Sequence, residues 1–190
     1  MAALNWSVKE IPGRTSRVTP ALAVLNNRLH MVQVGEHSPE LYYSFLQNDG
    51  KWSPSQKLTG KTSLVTPALA ALGNKLHMVQ VGEHSPELYY SSSPGDQNFS
   101  NNAKLAGKTS LVAVALAALN NKLHMVQVGE HSAQLYYSSS PGNQNFSNNA
   151  KLTGQTSQAA PALAAVGNVL HLVYVGEHSL KLYHSQANVT

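Results

Sequence analysis

The chain has no cysteine. Disulfides and thiolate metal sites are therefore excluded, and the redox compartment is left open. Charge is also sparse: only 12% of the 190 residues are Asp, Glu, Lys or Arg, against 42% apolar, which is the balance of a folded chain. Helix-favouring runs of Glu, Lys and Arg are missing, while Ser, Asn, Gly, Tyr and Val are plentiful, so the composition leans to β structure. The net charge of +4 comes from scattered residues and not from a basic stripe. Nucleic acid is accordingly not an expected partner. No apolar run approaches the roughly 18 residues of a spanning helix. The opening "MAALNWSVKE" has no apolar leader. The expectation is a soluble protein without membrane insertion, cytoplasmic or released by a non-classical route.

What is present is a repeat. "LHMVQVGEHSPELYYS" at 29–44 returns at 76–91, and near-copies follow at 123–138 and 170–185. Gly35, Gly82, Gly129 and Gly176 are spaced by 47 residues. Each unit reads as four short strands. A small apolar strand ("PALAVLN", 20–26) meets a two-residue turn such as Asn26-Asn27 or Gly73-Asn74, whose residues tolerate the positive φ of a tight hairpin. "RLHMVQV" follows, then the Gly-Glu-His-Ser loop, then "ELYYSF". The fourth strand carries Trp52, Phe99 or Phe146 and ends at Leu58, Leu105 or Leu152. Four strands per unit of this length indicate an all-β fold, a four-bladed β-propeller, with small residues on the strand nearest the axis. One domain covers 1–190, with repeats at 13–59, 60–106, 107–153 and 154–190.

The N-terminal "NWSVKEIPGRTS" matches "KWSPSQKLTGKTS", a fourth strand and its exit loop, while "LKLYHSQANVT" reads as a third strand with no fourth after it. A strand over 4–12 is expected to complete the last blade and close the ring, hiding two sheet edges. The same arithmetic permits two chains to exchange strands into a larger ring, so the chain is a monomer or a homodimer.

Propeller topology puts the loop between the second and third strands on the same face as the inter-blade segments "GRTS", "GKTS", "GKTS" and "GQTS". Four sets of candidate ligand-binding residues follow. They are Thr15, Glu36, His37 and Tyr42; Thr62, Glu83, His84 and Tyr89; Thr109, Glu130, His131 and Tyr136; and Thr156, Glu177, His178 and Tyr183. Carboxylate, imidazole, hydroxyl and aromatic face suit the hydroxyl pairs and C–H side of a sugar. Four of the nine acidic residues fall at the Glu of Gly-Glu-His-Ser, a costly choice for a mere turn. The glycine is expected there for its backbone freedom and the serine as a turn cap. His30, His77, His124 and His171 lie beside Met or Leu in the second strand and read as core histidines. Two histidines seven apart in each repeat do not resemble a zinc pair, so no metal and no cofactor is expected.

The pattern "W…L-G-x-T-S…P-A-L-A…L-H-M-V…L-Y-Y-S" resembles the repeats of bacterial and fungal β-propeller lectins, Photorhabdus-type lectins above all, and of sialidase-like repeat modules. That resemblance implies sugar binding, often of fucose or related monosaccharides, in pockets at or between blades. Its expected function is a multivalent lectin with glycan partners. A non-catalytic scaffold for protein interaction, as a toxin-associated module or an engineered repeat, is the alternative. Catalysis is not expected, since Arg14, Arg17 and Arg28, the only arginines, crowd the first quarter and the repeats stay alike.

Overall fold

The computed structural model of the chain describes residues 7–189. Among them are fifteen strands and no helix, hence none that could cross a membrane. The first sheet holds β1 (Ala21–Leu25), β2 (Arg28–Val34), β3 (Glu40–Phe45) and β4 (Gln56–Thr62). The second holds β5 (Ala68–Leu72), β6 (Lys75–Val81), β7 (Glu87–Ser93) and β8 (Ala103–Thr109). The third holds β9 (Ala115–Leu119), β10 (Lys122–Val128), β11 (Gln134–Ser140) and β12 (Ala150–Thr156). The fourth holds β13 (Ala162–Val166), β14 (Val169–Val175) and β15 (Leu182–Asn188). Every sheet is an antiparallel meander in chain order, and the four are the blades of a four-blade β-propeller.

The local reasons are legible in the turns. Asn26-Asn27 and Asn120-Asn121 have both residues left-handed, at φ 51° and 57°, and 47° and 57°. Asparagine tolerates that region, so each pair closes its hairpin within two residues. The second strands of the first three blades are buried on both faces, which is why they read as nearly continuous apolar runs. Val32 and Val34 share one face of β2, as alternate residues must, and join one cluster with Leu76 and Met78 of the next blade. The inner strands pack in sequence, β1 on β5, β5 on β9 and β9 on β13, where alanines allow close approach.

The outer strands begin later than the sequence suggests. β4 starts after Trp52 and runs through "GKT", which was expected to be a loop. Its pairing with β3 is irregular: Tyr42 opposes Lys57 and Glu40 opposes Thr62, so residues 58–61 stand against Leu41 alone. Gly60 takes φ +71° within this bulge. The kink turns Lys61 into the protein, where its ammonium donates to the Ser100 carbonyl at 2.7 Å and to Asn102 Oδ1 at 3.0 Å. Lys108 repeats this with Ser147 and Asn149 of the third blade.

Closure differs from expectation. Of the expected strand at 4–12, residues 4–6 lie outside the described residues, and 7–12 form no strand. Val8 is 95% exposed. Among the described residues, the fourth sheet has three strands, and no packing comparable to that of the other inner strands joins β13 to β1. The physical reason is that the outer edge of β15 is not brought to the N-terminal segment unless those two blades meet.

Three of the four second-strand histidines are core residues, as expected. His30, His77 and His124 are at most 2% exposed. His30 Nδ1 lies 2.8 Å from the Tyr43 hydroxyl and Nε2 lies 3.3 Å from the Leu25 carbonyl. The same hydroxyl reaches the Gly95 carbonyl of the second blade at 2.8 Å. His77–Tyr90–Gly142 and His124–Tyr137 repeat the pattern. His171 departs from it: His184 replaces the tyrosine, and the two imidazoles stack at 5.3 Å on a half-open blade.

Burial pushes the pKa of His30, His77 and His124 below the ordinary 6.5, opposed by the carbonyls of Leu25, Leu72 and Leu119. The unfolded chain therefore binds more protons than the folded one in mild acid. The contribution to stability is full above pH ~6.5 and is lost as pH falls through the lowered folded values. Urea unfolding followed by circular dichroism should show a midpoint that drops between about pH 7.5 and about pH 5. A midpoint flat over that range would contradict the assignment.

Candidate functional site

Each Gly-Glu-His-Ser loop closes a tight turn between a second and a third strand, with the Gly82 amide donating to the Glu87 carbonyl at 2.9 Å. The glycine is required for space and not for backbone freedom, which corrects the sequence reading. Gly82 is not among the left-handed glycines. A Cβ on it would lie 2.9 Å from Ser85 Oγ, 3.0 Å from the Ser85 carbonyl and 3.1 Å from Tyr89 Cε2. Gly35, Gly129 and Gly176 are crowded by the equivalent tyrosine and serine. The loop glycine is thus the floor on which the tyrosine ring rests.

The inter-blade segment docks beside its own blade's loop: the Ser63 amide donates to the Pro39 carbonyl, Ser110 to Pro86 and Ser157 to Ala133. From there Thr62 faces the second blade, whose Gln80 donates through Nε2 to the Thr62 carbonyl at 2.9 Å. Gln33 does the same to Thr15 at 2.7 Å and Gln127 to Thr109 at 3.0 Å. The sets with Thr62, Thr109 and Thr156 are therefore split across a boundary, the threonine from one blade's outer strand and the Glu, His and Tyr from the following blade, whereas Thr15 comes from the segment before the first blade.

At the first boundary these residues line a hollow of about 220 Å³ formed by Thr62, Gln80, Glu83, His84, Tyr89 and Asn102, with Gly82 and Ser85 in its wall. At the last boundary Thr156, Glu177, His178 and Tyr183 line one of about 310 Å³, where Tyr174 stands in place of the glutamine. Glu83 approaches His84 Nε2 at 3.4 Å, yet the imidazole is 89% exposed and the carboxylate 23%. The histidine is a rim group and the glutamate an inner wall. Tyr174 and Tyr183 stack at 5.6 Å, giving the last hollow an aromatic side.

Three kinds of contributor, a buried glutamine, an asparagine and a second glutamate, were not found from sequence. Gln80 and Gln127 are buried, and their Oε1 atoms have no protein hydrogen-bond partner. Asn102 reaches the hollow from the loop before β8, held by its bond to the Gly60 carbonyl at 3.1 Å. Glu87 accepts from the Tyr89 hydroxyl at 3.0 Å and from Lys104. Hydrogen bonds from Lys104, and then from Tyr89, hold its carboxyl below the usual range. Glu40 with Lys57 and Tyr42 repeats this. These triads orient the tyrosines; the third blade has Gln134 instead, turned to backbone carbonyls. The second tyrosine of each pair, such as Tyr43 or Tyr90, is in the core and not on the rim.

No protein-family model matches the chain, and no curated protein matches it. Solved structures do. The phage phi92 endosialidase matches with a TM-score of 0.69 and 10% identity over 90% of this chain and 35% of that one. The NanB sialidase of Streptococcus pneumoniae matches with 0.62 and 16% identity over 80% of this chain and 26% of that one. The Aleuria aurantia lectin, in a structure with alpha-methyl-L-fucoside, matches with 0.58 and 12% identity over 84% of this chain and 51% of that one. The chain thus spans between about a quarter and about half of each. At these identities the likeness shows the fold alone, a β-propeller. The expectation of a non-enzyme is corrected by the same finding, because sialidases share this architecture and a fold that carries catalysis gives no ground to exclude it.

Gly82→Ala tests the packing reading. The added methyl must displace Tyr89 or open the loop, an overpacking cost of about 1–3 kcal/mol. Urea denaturation should show a lowered midpoint with an unchanged slope, and an unchanged midpoint would contradict the spatial role.

Proposed function

We propose that the chain is a multivalent carbohydrate-binding protein, a lectin in the manner of the Photorhabdus-type propellers, with one site at each blade boundary. The observation that carries this reading is the recurrence of one residue set, Thr, Glu, His and Tyr, around separate hollows at the first and last boundaries. The chemistry fits a sugar ring. Glu83 is a charged acceptor for a hydroxyl pair, His84 a donor or acceptor on the rim, and the buried Gln80 supplies an unpartnered carbonyl oxygen. Tyr89 is held on its glycine floor by the Glu87–Lys104 pair and offers a ring edge at the wall. The first hollow is smaller than the roughly 300–1,000 Å³ of a drug-sized pocket, which suits a monosaccharide unit. Weak binding at one such site becomes strong retention on a glycan-coated surface when several sites engage together.

The test is a glycan array followed by titration calorimetry with the monosaccharides that bind, each sugar also assayed for turnover. Replacing Glu36, Glu83, Glu130 and Glu177 together by Gln removes the charged acceptors. Hydrogen bonds to charged groups contribute about 1.5–3 kcal/mol, so affinity should fall roughly tenfold or more while the fold is retained. A wild-type chain that binds no glycan, or a quadruple variant that binds as well as wild type, would sink the proposal.

A further inference from the structure

The blades use their two faces unequally. Ala21 and Leu25 of β1 pack with Leu69 of β5, and Ala68 and Ala70 of β5 with Leu116 of β9. One face of each inner strand is therefore made to meet the opposite face of the next. At the two ends of the series these faces are bare. Leu22 and Val24 of β1 are 51% and 61% exposed, and Val166 of β13, the counterpart of Leu25, is 64% exposed. The bare faces are complementary, because each is of the kind that its opposite covers elsewhere in the molecule.

A second observation lies deeper in the same blade. Phe99 packs into the first interface against Tyr43, centroids 6.1 Å apart, amid Val32, Leu58, Leu69, Leu76 and Met78. Phe146 does the same against Tyr90 at the second interface. At the third interface the matching residues, Val126, Tyr137, Leu152, Leu163, Leu170 and Leu172, surround an open cavity of about 340 Å³. Beside it, Gln155 stands where Lys61 and Lys108 tie to the serine after each phenylalanine, and its buried Oε1 has no partner. The cavity is the seat of an aromatic residue followed by serine. Trp6-Ser7 is that pair in this chain, aligned with Trp52-Ser53, Phe99-Ser100 and Phe146-Ser147. Arg14, at the place of Lys61, already binds the Ser53 carbonyl, so the N-terminal segment leaves from the bare flank of the first blade.

We infer that the chain associates head to tail with a second copy, the bare face of β13 covering the bare face of β1 and Trp6 of one copy filling the cavity of the other. The existing blade interfaces are close-packed and leave β13 and β1 without the packing that joins the other inner strands, so a second copy is the partner that carries the missing half of each bare face. The interface is heterologous and becomes a finite ring when its rotation closes.

Light scattering and native mass spectrometry on the chain, over a hundredfold range of concentration of about 1–100 μM, test this directly. The expected result is one discrete species heavier than the 20.4 kDa chain. Trp6→Ala, Val24→Glu and Val166→Glu should each convert it to the monomer with the β-sheet circular dichroism retained, and Trp6→Phe should leave it assembled. A wild-type monomer at every concentration would overturn the inference, as would a ladder that grows without limit or a Trp6→Ala chain that stays assembled. Glycan binding is read separately, so its outcome does not bear on this one.

Discussion

Everything in this molecule hangs on the packing of one blade's face against the opposite face of the next. A single sheet of this kind cannot bury its second strand, whose residues are apolar on both sides. Stacking solves that: Val32 and Val34 meet Leu76 and Met78, an aromatic wedge from the next blade fills the gap, and a tyrosine hydroxyl reaches across to a glycine carbonyl. Buried lysines add a second tie at the outer edge. Repetition then follows, because each blade supplies one half of two interfaces and is completed by its neighbours.

The candidate sites are a by-product of that stacking. A bulge around Gly60 carries Thr62 to the boundary, and the next blade answers with Gln80 and the Gly-Glu-His-Ser loop. No blade owns a whole site, so the hollows exist only where two blades meet. The same logic makes the incomplete third interface conspicuous: its residues match those of the first, and among the described residues the wedge is lacking.

Much of this was legible in the residues. The 47-residue period, the Asn-Asn turns and the alanine-rich first strands pointed to blades, and three of the four histidines took the core positions assigned to them. The grouping of Thr, Glu, His and the first tyrosine on one rim followed from topology. What escaped was packing. Loop glycines looked like hinges, but ordinary dihedrals and a tyrosine ring against the missing Cβ show that they are gaps. Gln80 and Asn102 gave no signal, because a polar residue in an apolar strand or a loop does not reveal which neighbour it will face. The exclusion of catalysis leaned on the likeness of the repeats, which bears on sites and not on what the fold can host.

The sequence by itself determined the unit: strand, turn, strand, loop, as short apolar runs punctuated by turn residues and returning every 47 residues. Those are short-range properties, set by backbone dihedrals at the turns and by apolar runs a few residues long. The tertiary structure decided where the units meet. It placed the threonine of one blade against the glutamate of the next and left β13 and β1 apart with complementary faces bare. Such facts depend on the angle between sheets, which arises from the interlocking of many side chains at once and is written at no single position.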